Sequence, residues 1–167
     1  MNSNLLFDFS LNKENKTIHI KREFDANLEL VWQAWTTAEL LNQWWAPKPY
    51  HIETKSLDLS VGGMWLYAMV SPKDEKMWCK AVYKNIETTK LLSWLDAFCD
   101  ESGKENTIKP RSLWTNNFSE NNDITTVNIT LKHDKLEDIE TMIEMGFKEG
   151  LTMALGNLDE LLAELKK

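Results

Sequence analysis

A chain of 167 residues, 43% hydrophobic, has the size and composition of one globular domain spanning residues 1–167. Its formal net charge of −7 comes from 26 acidic and 19 basic residues with no basic run, which disfavours phosphate backbones and anionic bilayers, so neither nucleic acid nor membrane is expected as a partner. No apolar stretch approaches the ~20 residues of a membrane helix, and Met1-Asn2-Ser3-Asn4 is no secretory leader, so a cytoplasmic protein is expected.

Leu5 to Leu11 is apolar with partial alternation, and Asn12-Lys13-Glu14-Asn15 reads as a turn. Thr17 to Phe24 then has strand character, so the chain opens on a hairpin. Asp25 or Asn27 can cap the helix that follows, because a short polar side chain there satisfies a free backbone N–H. Leu28, Val31, Trp32 and Trp35 recur at helical spacing and share one face. Thr36-Thr37 interrupts that helix. Thr37 can cap a second, carrying Leu40, Leu41 and Trp44, which Pro47 and Pro49 terminate.

A run of strands follows. His51–Leu59 is the first, and Gly62-Gly63 makes a turn or bulge, since glycine tolerates positive φ. Met64–Val70 is the second, closed by a Ser71-Pro72-Lys73-Asp74 turn. Met77–Ile86 and Leu91–Phe98 form a hairpin about Glu87-Thr88-Thr89-Lys90. After a polar loop at Asp100–Asn106, Ser112–Phe118 and Ile124–Leu131 form the last hairpin. From Leu136 onward one long helix is expected, with Ile139, Ile143, Phe147, Leu151, Ala154, Leu155, Leu158, Leu161 and Leu162 as its apolar stripe. Gly146 and Gly150 interrupt that stripe at a cost of about 1 kcal/mol each against alanine. Close packing of helix backbone on the sheet is the commoner reason for such glycines; room for a ligand is the other. The order of elements is an α+β plan.

Eight tryptophans are present, four of them at Trp32, Trp35, Trp44 and Trp45. So many bulky indoles either fill an aromatic core or line a cavity. The Trp44-Trp45-Ala46-Pro47 loop suits a cavity lid or a dimer surface. Cys79 and Cys99 lack the spacing of a redox or zinc pair and read as reduced, buried or half-buried thiols. His19, His51 and His133 stand apart from one another, so no metal site is expected, and His51 reads as a surface histidine. No nucleophile elbow, phosphate loop or dinucleotide fingerprint occurs, and no cofactor or catalytic residue is assigned.

Several segments in this order carry a resemblance: Arg22-Glu23-Phe24-Asp25-Ala26, Val31-Trp32-Gln33-Ala34-Trp35-Thr36, Trp44-Trp45-Ala46-Pro47, Gly62-Gly63 with Trp65, and Met145-Gly146-Phe147 with Gly150 and Leu158. Together they resemble the START-like, birch-pollen-allergen-like (SRPBCC) superfamily. Within it the chain is similar to small single-domain bacterial homologues of the Hsp90 ATPase activator, C-terminal domain type, over roughly residues 17 to 165. The segment from Asp96 to Trp114 is longer than the minimal family plan, and Ser71-Pro72-Lys73-Asp74-Glu75 replaces a common Pro-Asp-Gly-like turn. The resemblance implies a helix-grip fold: a curved antiparallel β-sheet wrapped around a long C-terminal helix, with two short helices after the first strands. It also implies a cavity between the sheet and that helix.

By strand alternation Trp65, Tyr67 and Met69 share one face, as do Trp94, Asp96 and Phe98 on another strand. With Trp114, and with Phe147 and Leu151 from the helix, these are the candidate lining residues. Asp96 is either buried inward, with a raised pKa, or a solvated strand charge. Three functions compete. The first is a binding protein for a small hydrophobic or aromatic molecule, monomeric or homodimeric. The second is a chaperone-associated stress-response protein, which requires an exposed docking patch. The third is an aromatase/cyclase-like enzyme, which requires at least two of Asp96, Tyr67 and His51 to face one cavity.

Overall fold

Alternation between apolar and polar side chains is what commits Thr17–Phe24 to the sheet: Ile18, Ile20 and Phe24 are buried while Thr17, His19, Lys21 and Glu23 alternate with them on the other face. The computed structural model describes residues 6–166, so Leu5 and the Met1–Asn4 segment lie outside it. The strands are β1 (Phe7–Asn12), β2 (Thr17–Phe24), β3 (His51–Leu57), β4 (Met64–Val70), β5 (Lys76–Glu87), β6 (Leu91–Phe98), β7 (Ser112–Asn121) and β8 (Ile124–Lys132). They form one antiparallel sheet in the order β1-β2-β8-β7-β6-β5-β4-β3. Helices α1 (Leu28–Thr36) and α2 (Ala38–Trp44) carry the chain from β2 to the far edge at β3. The chain then ends in α3 (Leu136–Glu144) and α4 (Phe147–Leu165). This is the expected α+β helix-grip plan.

Asn27 is the cap of α1, its side chain accepting from the Leu30 N–H at 2.9 Å. Thr37 separates α1 from α2 in extended conformation, and its side chain makes no capping bond. The expected second helix therefore forms without the expected side-chain cap. The last hairpin runs further than its apolar pattern, to Asn121↔Ile124. Asn122 and Asp123, at φ 54° and 64°, supply the two left-handed residues of a tight hairpin turn.

Two glycine positions have clear physical causes. A Cβ on Gly63 would lie 2.3 Å from the Asp58 carbonyl oxygen, so only glycine fits where β3 turns back into β4. Gly146 has φ 86°, and it divides the expected long helix into α3 and α4. A continuous helix from Leu136 is thus corrected: a left-handed residue cannot propagate the helical hydrogen bonds. Behind the break Ile139 is fully buried, whereas Ile143, expected in the stripe, is 37% exposed.

The core lies between the concave sheet face and the helices. Tyr83, Trp94, Trp114, Leu131 and Ile18 stand opposite one another in register on β5, β6, β7, β8 and β2. Opposed residues share a sheet face, so these form one inward row across five strands. Trp45, just past α2, meets that row from above, with ring centroids 5.8 Å from Trp94 and 5.5 Å from Trp114. It also meets Trp35, Trp44 and Trp65 at 5.8, 5.2 and 5.6 Å. Pairs of this kind contribute about 0.5–1.5 kcal/mol each beyond their buried area. Elsewhere α4 is tied to the sheet by Arg22, which pairs with Asp159 and lies 4.9 Å from the Phe24 ring centroid.

Candidate functional site

Where the sheet curves away from α3 and α4, it leaves a concavity of about 260 Å³. One wall comes from strand residues that alternation turns inward: Tyr67 and Met69 on β4, Met77 and Cys79 on β5, Asp96 and Phe98 on β6, and Trp114 on β7. Register makes these a surface rather than a list. Tyr67 stands opposite Cys79, Cys79 opposite Phe98, and Met69 opposite Met77. The facing wall is Met142, Met145, Gly146, Phe147, Gly150, Leu151 and Ala154, and Trp45 with Pro47 closes one side.

Seven of the nine expected lining residues are there: Tyr67, Met69, Asp96, Phe98, Trp114, Phe147 and Leu151. Trp65 and Trp94 are not, although they stand on the same inward strand faces. Trp65 is 2% exposed and stacks on Tyr67 at 4.0 Å; Trp94 is 3% exposed and stacks on Trp114 at 5.3 Å. Trp65 sits one inward position along β4 from Tyr67, and Trp94 sits beside Trp114 in the same inward row; both pack against the residue that reaches the concavity rather than reaching it themselves. His51 lies on the edge strand, exposed and bonded to Glu53 at 3.1 Å, so it takes no part.

The Trp44-Trp45-Ala46-Pro47 loop divides between core and site. Trp44 is fully buried and donates to the Ala34 carbonyl at 2.8 Å, which removes it from any dimer surface. Trp45 and Pro47 line the concavity. Gly150 owes nothing to close packing: a Cβ there would meet only Pro47 Cγ, at 3.9 Å. Its bare backbone widens the concavity instead. Cys79, Met77, Met142 and Met145 line the concavity too and are not among the residues expected there. Cys79 and Met77 follow from the β4–β5 register, which no local pattern specifies.

Asp96 points inward. Its Oδ1 accepts from the Ser112 N–H at 2.9 Å and its Oδ2 from the Trp114 indole N–H at 2.6 Å. Burial pushes its carboxyl up from 3.8 to about 6, and these two hydrogen bonds act in the opposite direction by stabilising the anion. Beside it, burial raises the Cys79 thiol to about 12, with the Asp96 and Cys99 charges adding to the effect. Burial, then Cys79 and Asp96, hold the Tyr67 hydroxyl protonated well above its ordinary range. That hydroxyl accepts from Trp45 Nε1 at 3.3 Å.

Ser112 links this acid to a second buried polar group. Its hydroxyl lies 2.7 Å from His133 Nε2, and Ser112 and His133 are 0% and 3% exposed. Burial lowers the His133 pKa, and its Nδ1 has no protein partner. Neither Ser112 nor His133 reaches the concavity, so the pair supports the floor beneath Asp96. Among the described residues, no three His, Cys, Asp or Glu side chains converge on a metal position, and no helix is long and apolar enough to cross a membrane.

The family model described as Activator of Hsp90 ATPase homolog 1-like protein matches residues 25–163. No curated protein matches the chain. Among solved structures, a protein from Mycobacterium smegmatis is 26% identical, with 95% of this chain and 96% of that one aligned at a TM-score of 0.85. A protein from Arthrobacter aurescens is 27% identical over 94% of this chain and 91% of that one, TM-score 0.88. An AHSA1 protein from Silicibacter pomeroyi, 19% identical over 90% and 99% at a TM-score of 0.72, shares the fold.

Proposed function

The chain belongs to the Activator of Hsp90 ATPase homolog 1-like family, and we propose that it is a binding protein holding a small hydrophobic or aromatic molecule between its sheet and α4. The observation that carries this reading is the concavity itself: aromatic and thioether side chains surround one fixed carboxylate. Ligand sites typically combine an apolar lining with a few oriented polar groups. A volume of about 260 Å³ lies just under the usual range of roughly 300–1,000 Å³. It suits a compound of one or two rings better than a sterol.

The test is a thermal and tryptophan-fluorescence titration against small aromatic alcohols, flavonoids, short fatty acids and sterols. Trp45 and Trp114 line the site, so occupancy changes their emission. Saturable binding at tenfold excess over Kd stabilises the fold by roughly 1.4 kcal/mol. Filling the space with Gly150→Leu abolishes the response. Silence across the panel, from folded protein, overturns the reading and favours a chaperone partner on the exterior.

A second reading rests on convergence. Asp96 and Tyr67 both line the concavity, which meets the requirement for acid–base chemistry on a bound molecule, although His51 is absent from it. A carboxyl near 6 exchanges protons readily at neutral pH. Mass spectrometry of a bound ligand after prolonged incubation, compared with Asp96→Asn, separates turnover from storage.

A further inference from the structure

We propose that the concavity selects ligands whose apolar body carries a hydrogen-bond-donating, positively charged head, an amine above all, with Asp96 as its counter-ion. This rests on the binding reading above and narrows it to a chemical class.

The lining has one charge. Among the described residues that form it, Asp96 is the only ionisable carboxylate or base, and no lysine, arginine or histidine accompanies it. Asp96 makes none of the ion pairs found in the fold. Lys109 lies near the rim, with Nζ 5.8 Å from the Phe98 ring centroid, but it is not part of the lining. An anionic head would therefore meet a carboxylate with no cation to offset it, while a cationic head would supply the missing partner.

Hydrogen-bond directions agree. The Ser112 N–H and Trp114 N–H each fill one site on a carboxylate oxygen. A carboxylate has about four such sites and no proton to give, so what remains accepts only. The two bonds also fix the carboxylate's orientation before a ligand arrives, which reduces the ordering cost of binding. Around it Trp45, Tyr67, Phe98, Trp114 and Phe147 present aromatic rings. Such rings attract ammonium groups and accept an apolar chain equally well.

The experiment is isothermal titration of the full chain with a matched series: phenylbutylamine, phenylbutanol and phenylbutyrate. The expected order is amine tightest and carboxylate weakest, with about a tenfold gap between amine and alcohol, which is roughly 1.4 kcal/mol. Asp96→Asn should remove that gap, weakening the amine more than the alcohol. Equal affinities for amine and alcohol in the unaltered protein overturn the inference without touching the binding reading, and this comparison needs no variant to fold. Tighter binding of phenylbutyrate overturns it too. If none of the three binds to folded protein, the binding reading itself fails. If Asp96→Asn folds but weakens amine and alcohol alike, Asp96 shapes the site without reading charge, and the inference is overturned.

Discussion

The Trp114 indole N–H donates to Asp96 Oδ2 across 2.6 Å, joining an aromatic wall of the concavity to its one carboxylate. The same indole stacks on Trp94, so the ring that holds the acid is itself held by the core. A charge placed this way has consequences for stability as well as for recognition.

Asp96 titrates near 6 in the fold against 3.8 unfolded. Between those values the folded chain binds more protons than the unfolded chain. Stability therefore falls as pH rises from about 4 to about 6, by at most roughly 2–3 kcal/mol, and stays lower above that. In urea titrations across this range, Asp96→Asn should show a flatter profile than the unaltered protein. Parallel profiles would show that burial does not raise this carboxyl.

His133 works in the opposite direction. Burial lowers its pKa below 6.5, so the unfolded chain takes up the proton first. Its contribution is constant above about 6.5 and declines as pH falls below that value. Ser112→Ala removes the hydroxyl facing Nε2 and leaves the imidazole buried without that bond, at a cost of about 1–3 kcal/mol. Chemical denaturation at neutral pH measures it; an unchanged midpoint would mean that water replaces the hydroxyl.

Gly150 and Gly156 both lie inside α4 with space for a methyl group. Each alanine replacement should raise stability by about 1 kcal/mol, a gain of roughly 2–4 °C in Tm. Only Gly150 faces the concavity. Gly156→Ala should leave ligand affinity alone, and Gly150→Ala should alter it. Loss of stability in Gly150→Ala would place α4 closer to Pro47 than 3.9 Å.

The Arg22–Asp159 pair is almost completely buried, with side chains 9% and 6% exposed. Arg22 also donates to the Glu23 carbonyl at 2.6 Å. Asp159→Asn should cost about 3–5 kcal/mol, because it strands a buried guanidinium. Replacing both partners by leucine should cost much less. A single variant as stable as the parent would show that water reaches the guanidinium.

Much of the architecture was legible along the chain. Alternation in Thr17–Phe24 and Met64–Val70 and helical spacing in Leu28–Trp35 identify strand and helix faces locally, because the backbone period decides which side chains share a side. The same alternation placed Tyr67, Met69, Asp96 and Phe98 on their inward faces. Alternation does not tell which side chains of a face stop short of the concavity, so it does not separate Trp65 and Trp94, packed on Tyr67 and Trp114, from the lining residues. Gly146 was visible as an anomaly, but a glycine marks permission rather than conformation, and only its φ of 86° breaks the helix.

What the sequence alone determined is this set of elements and faces, since both follow from residues a few positions apart. Tertiary structure decided everything that depends on register and distance. It set Cys79 against Tyr67 and Ser112 against His133, and it brought Trp45 to the centre of five other tryptophans. It also joined Arg22 to Asp159 across 137 positions. The long-range contacts among these form only when the whole sheet closes over the helix, because local turns pair neighbouring strands but nothing local brings β2 beside β8 or sets α4 against the sheet.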